Sequence, residues 1–429
     1  MSLKERTYFC IDMKSFYASV ECAERGLNPF EANLVVADLE RGKNALCLAI
    51  SPHMKALGIK NRCRLSDIPP KVRYEVAKPR MKLYIEYAAD IYGMYLEYFA
   101  KEDIHVYSID ESFIDATSYL PMYNLDAKTL AKQLMNEIAT RFRIPSTAGI
   151  GTNLYLAKVA LDITAKHSRE HIGYLDEALY RDTLWHHRPL TDFWQVASGT
   201  ACRLQRYGVY DMYGITRLPA DTMYKAFGKN AELLIDHAWG REPCLIEDIK
   251  NYTPKSRSVS FSQILSRDYT FSEAQTVITE MVQHGAQELM RRKVITQKVS
   301  YFVGYSGEMC APTGGRVQLT ATTNLSSHIV PDVLKSFCET TNRNMRIRRI
   351  GISFDAVCDE GCEGYDMFTD WEQVEKEKSL EHAILELKDR LGKNAVMRGI
   401  NYVEEATQRE RNTFIGGHRA GYNDPRRKS

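Results

Sequence analysis

Asp110 and Glu111 stand side by side in the stretch HVYSIDESFIDAT, residues 105–117. The stretch reads as a strand, a break and a second strand, with the break on the two acids. Adjacent carboxylates repel each other and disfavour a sheet interior, so keeping them there calls for a positive partner. A third acid, Asp12, ends the short apolar run TYFCID. Oxygen donors without His or Cys suit a hard cation such as Mg²⁺. Two such ions can hold the attacking and the leaving oxygen of a phosphoryl transfer. The plain alternative is a solvated Asp-Glu pair at a hairpin turn.

The elements that must position these acids follow from periodicity and punctuation. TYFCID reads as a buried strand, followed by a helix from Ser15 to Glu24. Residues 27–82 are mixed and broken by SPH and IPPK, as expected of a small insertion. The next helix carries Ile85, Ala88, Ala89, Tyr92, Leu96 and Phe99 at helical spacing. After the hairpin come a helix that Asp126 can cap, the strand STAGIG, and a helix with Asn153 as its cap. Without the insertion this is the split βαββαβ pattern. In that fold the first and third strands are antiparallel neighbours, so topology brings Asp12 beside Asp110 and Glu111.

A chain of 429 residues is too long for one ordinary core and should form several domains. A net charge of +2 does not announce a nucleic-acid binder; any basic surface must be balanced by acid elsewhere. There is no apolar run long enough to span a membrane, and MSLKERTYFC lacks the apolar core of a signal peptide. The ten cysteines are scattered without zinc spacing, as expected of reduced cytosolic thiols.

FCIDMKSFYASVE together with YSIDESFIDAT resembles the two signature motifs of the Y-family, the translesion DNA polymerases. GIGTNLYLAKVALDITAK resembles the family's second palm helix and VASGTACRLQRYGVYDMYGITRL its thumb hairpin, in the style of the UmuC-like polymerases of SOS mutagenesis. The resemblance implies a multidomain α+β protein. Its expected parts are a βαββαβ palm at 1–15 and 83–173, fingers at 16–82, a helical thumb with a helix-hairpin-helix at 174–241, and a linker at 242–255. A second βαββαβ domain, the little finger, is expected at 256–357, before a tail at 358–429. It implies Asp12, Asp110 and Glu111 as catalytic metal-binding carboxylates, the Met13 carbonyl as a further ligand, and two Mg²⁺ ions. Tyr17 falls on the steric gate that excludes a ribose 2′-OH, and Phe16 should pack beneath the nucleotide. Lys166 matches a lysine that holds the triphosphate. Lys158, eight residues earlier, should share a helix face with it, although a helix lysine is usually a solvated one. In SPHMKALGI the family's usual Tyr is Pro52 and its usual Arg is Lys55, which remains a point charge for phosphate.

In the thumb stretch, a helix, a turn at Gly199 and a second helix ending near Tyr207 and Gly208 would offer backbone N–H groups to a DNA phosphate. From residue 256 a strand, a helix opened by a Ser272–Gln275 capping box, two strands, a helix from near Pro331 and the strand RIRRIGISF repeat the βαββαβ order. Arg346 and Arg348 alternate on that last strand and suit backbone phosphates. Beyond it, relatives often carry a peptide that docks into the sliding clamp. Here Gly364 and Tyr365 replace its Gln and first Leu, leaving Met367 and Phe368 as anchors. The implied partners are primer–template DNA, a deoxynucleoside triphosphate and the clamp, for a monomeric, cytoplasmic, nucleoid-associated enzyme without proofreading. A nucleotide cyclase and a non-catalytic DNA-binding homologue are the rival readings.

Overall fold

The computed structural model describes residues 6–42, 44–254, 257–307, 310–361 and 370–421. They fall into two compact units, one running to Tyr252 and joined by Gly421, the other Thr253–Ala420.

The first unit opens with β1 (Tyr8–Met13), buried along nearly its whole length, and α1 (Phe16–Glu24). Between them Ser15 takes a left-handed conformation (φ 50°), so the helix starts one residue later than its composition suggests. The insertion is a folded subdomain. It contains β2 (Leu34–Val36), β3 (Ala49–Ile50), α2 (Pro52–Ala56) and β4 (Glu75–Ala77), with the three strands in one small sheet around Val35, Cys47, Met54 and Leu65. Then come α3 (Met81–Leu96), β5 (Ile104–Val106) and β6 (Glu111–Asp115). The short α4 (Tyr119–Tyr123), α5 (Ala127–Phe142), β7 (Ser146–Gly151), α6 (Leu154–Val159) and β8 (Ile172–Leu175) complete the subdomain. The sheet order is β5-β6-β1-β7-β8, with β1 antiparallel to both neighbours.

The buried face of α3 differs from the expected stripe. Met81, Tyr84, Tyr87, Ile91, Met94 and Tyr95 face inward, while Ile85 and Leu96 are exposed. Tyrosines can take the inward positions because their hydroxyls find acceptors there: Tyr84 donates to Glu21 at 2.7 Å and Tyr87 to Glu24 at 2.8 Å.

Helices α7 (Glu177–Leu184), α8 (Ser198–Gln205), α9 (Met212–Arg217), α10 (Ala220–Phe227), α11 (Asn230–Ala238) and α12 (Ile246–Asn251) finish this unit. Gly199 lies inside the first turn of α8, not in a turn between helices. The turning glycine is Gly208, whose φ of +75° suits a residue without a Cβ.

The second unit contains β9 (Val259–Tyr269), α13 (Phe271–Arg291), β10 (Val294–Tyr305), β11 (Thr313–Thr323), α14 (Ser326–Thr340) and β12 (Ile347–Asp355). The strand order is β11-β10-β12-β9, again βαββαβ. On α13 the residues Ala274, Val277, Ile278, Met281, Leu289 and their neighbours form the buried stripe, each larger side chain contributing about 1.5–3 kcal/mol. Its capping box is Thr270 with Glu273, not Ser272 with Gln275: Glu273 accepts the Thr270 N–H at 2.6 Å and Thr270 accepts the Glu273 N–H at 3.3 Å. Helix α14 begins five residues before Pro331, which sits inside it. After β12 the chain continues as α15 (Trp371–Leu391) and a segment that closes on α13. There Glu280, 1% exposed, accepts from Asn401 Nδ2 and the Thr407 N–H, both at 2.7 Å, and from the Gln408 N–H at 3.3 Å.

Candidate active site and nucleic-acid interface

The three acids meet where β1 ends and β6 begins. In the antiparallel register Asp12 lies opposite Glu111, and the Met13 N–H donates to the Asp110 carbonyl at 2.9 Å. The turn before β6 is closed by the Tyr107 and Ser108 N–H groups, which both donate to the Glu111 carbonyl at 3.0 and 3.1 Å. Ser108 Oγ donates to Asp110 Oδ1 at 2.6 Å. The backbone of this site is therefore fixed by main-chain bonds rather than by its side chains.

Crowding shows in the chemistry. The Asp12 carboxyl is pushed up to about 7, first by burial and then by Asp110 and Glu111. An all-oxygen donor set that raises its own pKa fits a hard divalent cation. Glu111, 8% exposed, also reaches α6, where Lys158 Nζ lies 2.8 Å from Oε1 and 2.9 Å from Oε2. Among the described residues no three acidic, His or Cys side chains already stand as a set that could hold an ion.

The raised Asp12 carboxyl carries a pH consequence. Its folded pKa lies above the unfolded value, so its contribution to stability is complete at low pH and is lost as pH rises toward 7. Metal-free protein should lose melting temperature between about pH 4 and 7, and Asp12→Asn should flatten that slope. Thermal melts of both proteins in chelator check this; parallel slopes would remove Asp12 as the cause.

The expected nucleotide-side residues surround the acids. Phe16, the first residue of α1, is buried. Tyr17 stacks on Tyr84 with ring centroids 4.6 Å apart, and its hydroxyl is raised by partial burial and by Asp110, opposed by Arg62. Lys55, in the last turn of α2, is lowered first by burial, while Asp12 and Asp110 oppose the shift and Lys166 adds to it. Lys55 and Lys166 therefore share one electrostatic neighbourhood with the acids. Lys14 is likewise lowered by partial burial, with Asp12 opposing.

Lys158 and Lys166 do not share a face. After α6 the chain passes through a π-helical segment, Ala160–Thr164, and then a 3₁₀ turn, Ala165–His167, so the α-helical count of eight residues fails. Lys158 is buried and Lys166 exposed. The closeness of α6 to the sheet is what buries Lys158. A Cβ on Gly149 would lie 2.1 Å from the Ala157 carbonyl oxygen, and one on Gly151 would lie 2.2 Å from the Ala157 nitrogen. The glycines of STAGIG were the one sequence signal of this approach.

In the second unit α13 and α14 pack on one face of the sheet, and the other face mixes serines and glycines with Phe302, Ile264 and basic side chains. Across it run Ser262, Gly351, Phe302 and Gly314 in one row and Ser260, Ser353, Ser300 and Arg316 in the next. The arginine assignment changes here. Arg346 precedes β12, and Arg348 sits at an irregularity between Ile347 and Arg349 and pairs with Asp268 at 3.4 Å. Arg349 takes the outward place instead, its guanidinium 5.4 Å from the centre of the Phe302 ring. The inward series Ile350, Ile352 and Phe354 was the pattern that would have located it. In the first unit, α8 has no side-chain cap at its N-terminus, and the space beside Gly199 is open. Met367 and Phe368 lie outside the described residues.

Residues 11–162 match the model of the impB/mucB/samB family and residues 256–367 that of the family's C-terminal domain. UvrX of Bacillus subtilis, named for UV-damage repair, is 29% identical over 97% of this chain and 98% of its own length. The DNA repair protein homolog YozK of the same organism is 39% identical over 24% of this chain and 89% of its own. The chain belongs to the Y-family of DNA polymerases. DNA polymerase IV 2 of Bacillus subtilis is similar to this Y-family chain at 29% identity, over 97% of it and 99% of the relative. A solved Y-family DNA polymerase chimera of Dbh and Dpo4 shares the fold, with a TM-score of 0.63 and 19% identity over 82% of this chain and 100% of the chimera. Members of the family use divalent metal ions. Among the described residues no helix is long and apolar enough to cross a membrane.

Proposed function

We propose that this chain is a DNA-directed DNA polymerase that performs translesion synthesis, extending a primer 3′-OH opposite damaged template without proofreading. The observation that carries the reading is the placement of Asp12 opposite Glu111, with Asp110 tied to Met13 by the main chain, inside a chain whose two halves both match the family. Two Mg²⁺ ions, held by Asp12, Asp110, Glu111 and the Met13 carbonyl, supply activation of the 3′-OH and stabilisation of the leaving pyrophosphate. Lys55 and Lys166 bind the triphosphate oxygens, Phe16 packs beneath the nucleotide, and Tyr17 forms the wall against the ribose 2′ position. Such positioning and charge are most of what phosphoryl transfer asks of a protein.

DNA is held at places that read no sequence. The uncapped N–H groups of the first turn of α8, around Gly199, face a phosphate of the backbone. The serines and glycines on the face of the second sheet away from α13 and α14 let a duplex come close, with Arg316 and Arg349 supplying charge and Arg346 and Arg348 flanking it. Primer extension on an undamaged template with Mg²⁺ tests the whole reading. Extension excludes both a cyclase and a non-catalytic homologue; DNA binding without extension would leave the latter.

The sliding clamp is the further partner, engaged through Met367 and Phe368. Met367→Ala/Phe368→Ala should abolish clamp-stimulated synthesis while leaving unstimulated synthesis unchanged. Full stimulation of the double variant would place the clamp contact elsewhere.

A further inference from the structure

Lys158 has no part in the assignments above, yet its ammonium is among the few charges that the first unit buries. A buried ammonium is tolerated only when ion pairs and hydrogen bonds replace its water. Lys158 obtains them from two acids. Its Nζ reaches both oxygens of Glu111, at 2.8 and 2.9 Å, and both oxygens of Asp162 at 3.1 Å. Glu111 Oε1 is further occupied by the Cys10 thiol, which donates at 3.1 Å. Both oxygens of an acid needed for the metal are therefore occupied by donors from the protein itself.

The arrangement is built into the fold. The close approach at Gly149 and Gly151 brings α6 onto the sheet beside Glu111. Asp162, four residues on, stands at the spacing that brings two helical side chains together. It lies in a π-helical segment, and such single-turn segments frequently mark functional places. The Asp162 side chain is one-third exposed, so it can hold the ammonium in water's reach, whereas Glu111 is enclosed.

We propose that Lys158 is a positioning residue that holds Glu111 by both carboxylate oxygens in the metal-free site and cedes one of them to the entering divalent ion, keeping Asp162 as its anchor. The inference rests on the metal-site reading above. Lys158 stands as a resident cation: it offsets repulsion among the acids before metal arrives, competes with the metal for Glu111, and afterwards keeps the remaining oxygen in line.

These roles predict a split that packing alone does not. Metal affinity is read from the melting temperature of the full chain titrated with Mg²⁺ alone, and turnover from primer extension at saturating Mg²⁺. Lys158→Met should lower the Mg²⁺ midpoint by about threefold or more, because a competitor is gone, and yet cut saturated turnover by about tenfold, because Glu111 is no longer held. Lys158→Arg keeps a cation against Glu111 and should restore the midpoint to that of the wild type and part of the turnover. Asp162→Asn, which leaves Lys158 to Glu111 alone, should move the midpoint the opposite way, upward; it also serves if Lys158→Met fails to fold. An unchanged or raised midpoint in Lys158→Met, undiminished saturated turnover in that variant, or an unchanged midpoint in Asp162→Asn would each overturn the proposal. No Mg²⁺ stabilisation of the wild type would overturn the metal-site reading itself, and this inference with it.

Discussion

Asp110→Asn should reduce nucleotide incorporation by more than about 100-fold while leaving DNA affinity close to that of the wild type. The asparagine keeps the shape of the side chain and can still bond Ser108, whose hydroxyl lies 2.6 Å from Asp110 Oδ1. What it removes is half of the negative charge that an ion would meet at the end of β6. The elements proposed to hold DNA, α8 and the second sheet, do not include Asp110, so binding should survive. Glu111→Gln should be equally inactive but less stable, because it also leaves the buried Lys158 with Asp162 as its remaining charged partner. Single-turnover incorporation beside a DNA-binding titration measures both quantities. Wild-type turnover in Asp110→Asn would sink the assignment of the acids.

The second large effect concerns the sugar. Tyr17→Ala should raise the use of ribonucleotides relative to deoxyribonucleotides by at least about tenfold, roughly 1.4 kcal/mol of discrimination. The ring can act as a wall because it is not free to yield. It stacks on Tyr84 at 4.6 Å, and Tyr84 is pinned by its bond to Glu21 at 2.7 Å. Glu21 is in turn fully buried and gripped by Arg80 at 2.8 Å as well as by Arg25. A ribose 2′-OH that pressed on Tyr17 would press on this whole chain of contacts. Tyr17→Phe, which keeps the ring, should retain the discrimination. A ratio of kcat/KM values that does not change in Tyr17→Ala would reduce Tyr17 to a packing residue.

The meeting of the three acids was legible because it depends on topology: antiparallel pairing of the first and third long strands puts Asp12 opposite Glu111 whatever the side chains do. The same holds for the repeated βαββαβ order and for the caps at Asp126 and Asn153, where one short side chain meets one N–H. What could not be read depended on departures from ideal geometry. The close approach of α6 to the sheet buried Lys158, and the π segment after it broke the expected alignment with Lys166. The irregularity in β12 moved the outward position from Arg348 to Arg349. The buried stripe of α3 was missed because tyrosines took inward positions whose hydroxyl acceptors, Glu21 and Glu24, lie in another helix. For α3 the deciding acceptors are distant in sequence and local periodicity carries no trace of them, whereas for Arg349 the inward series Ile350, Ile352 and Phe354 did carry the signal.

Glu280 has a practical bearing on where this protein can be cut. The family's C-terminal domain ends by sequence match at residue 367, yet the groups that satisfy the enclosed Glu280 carboxylate come from Asn401, Thr407 and Gln408. A fragment stopped at the match boundary would keep the acid and discard every one of these donors, turning a satisfied interior into an exposed seam along α13. The compact unit is the longer one, Thr253–Ala420, and a recombinant fragment of it should be drawn to that limit.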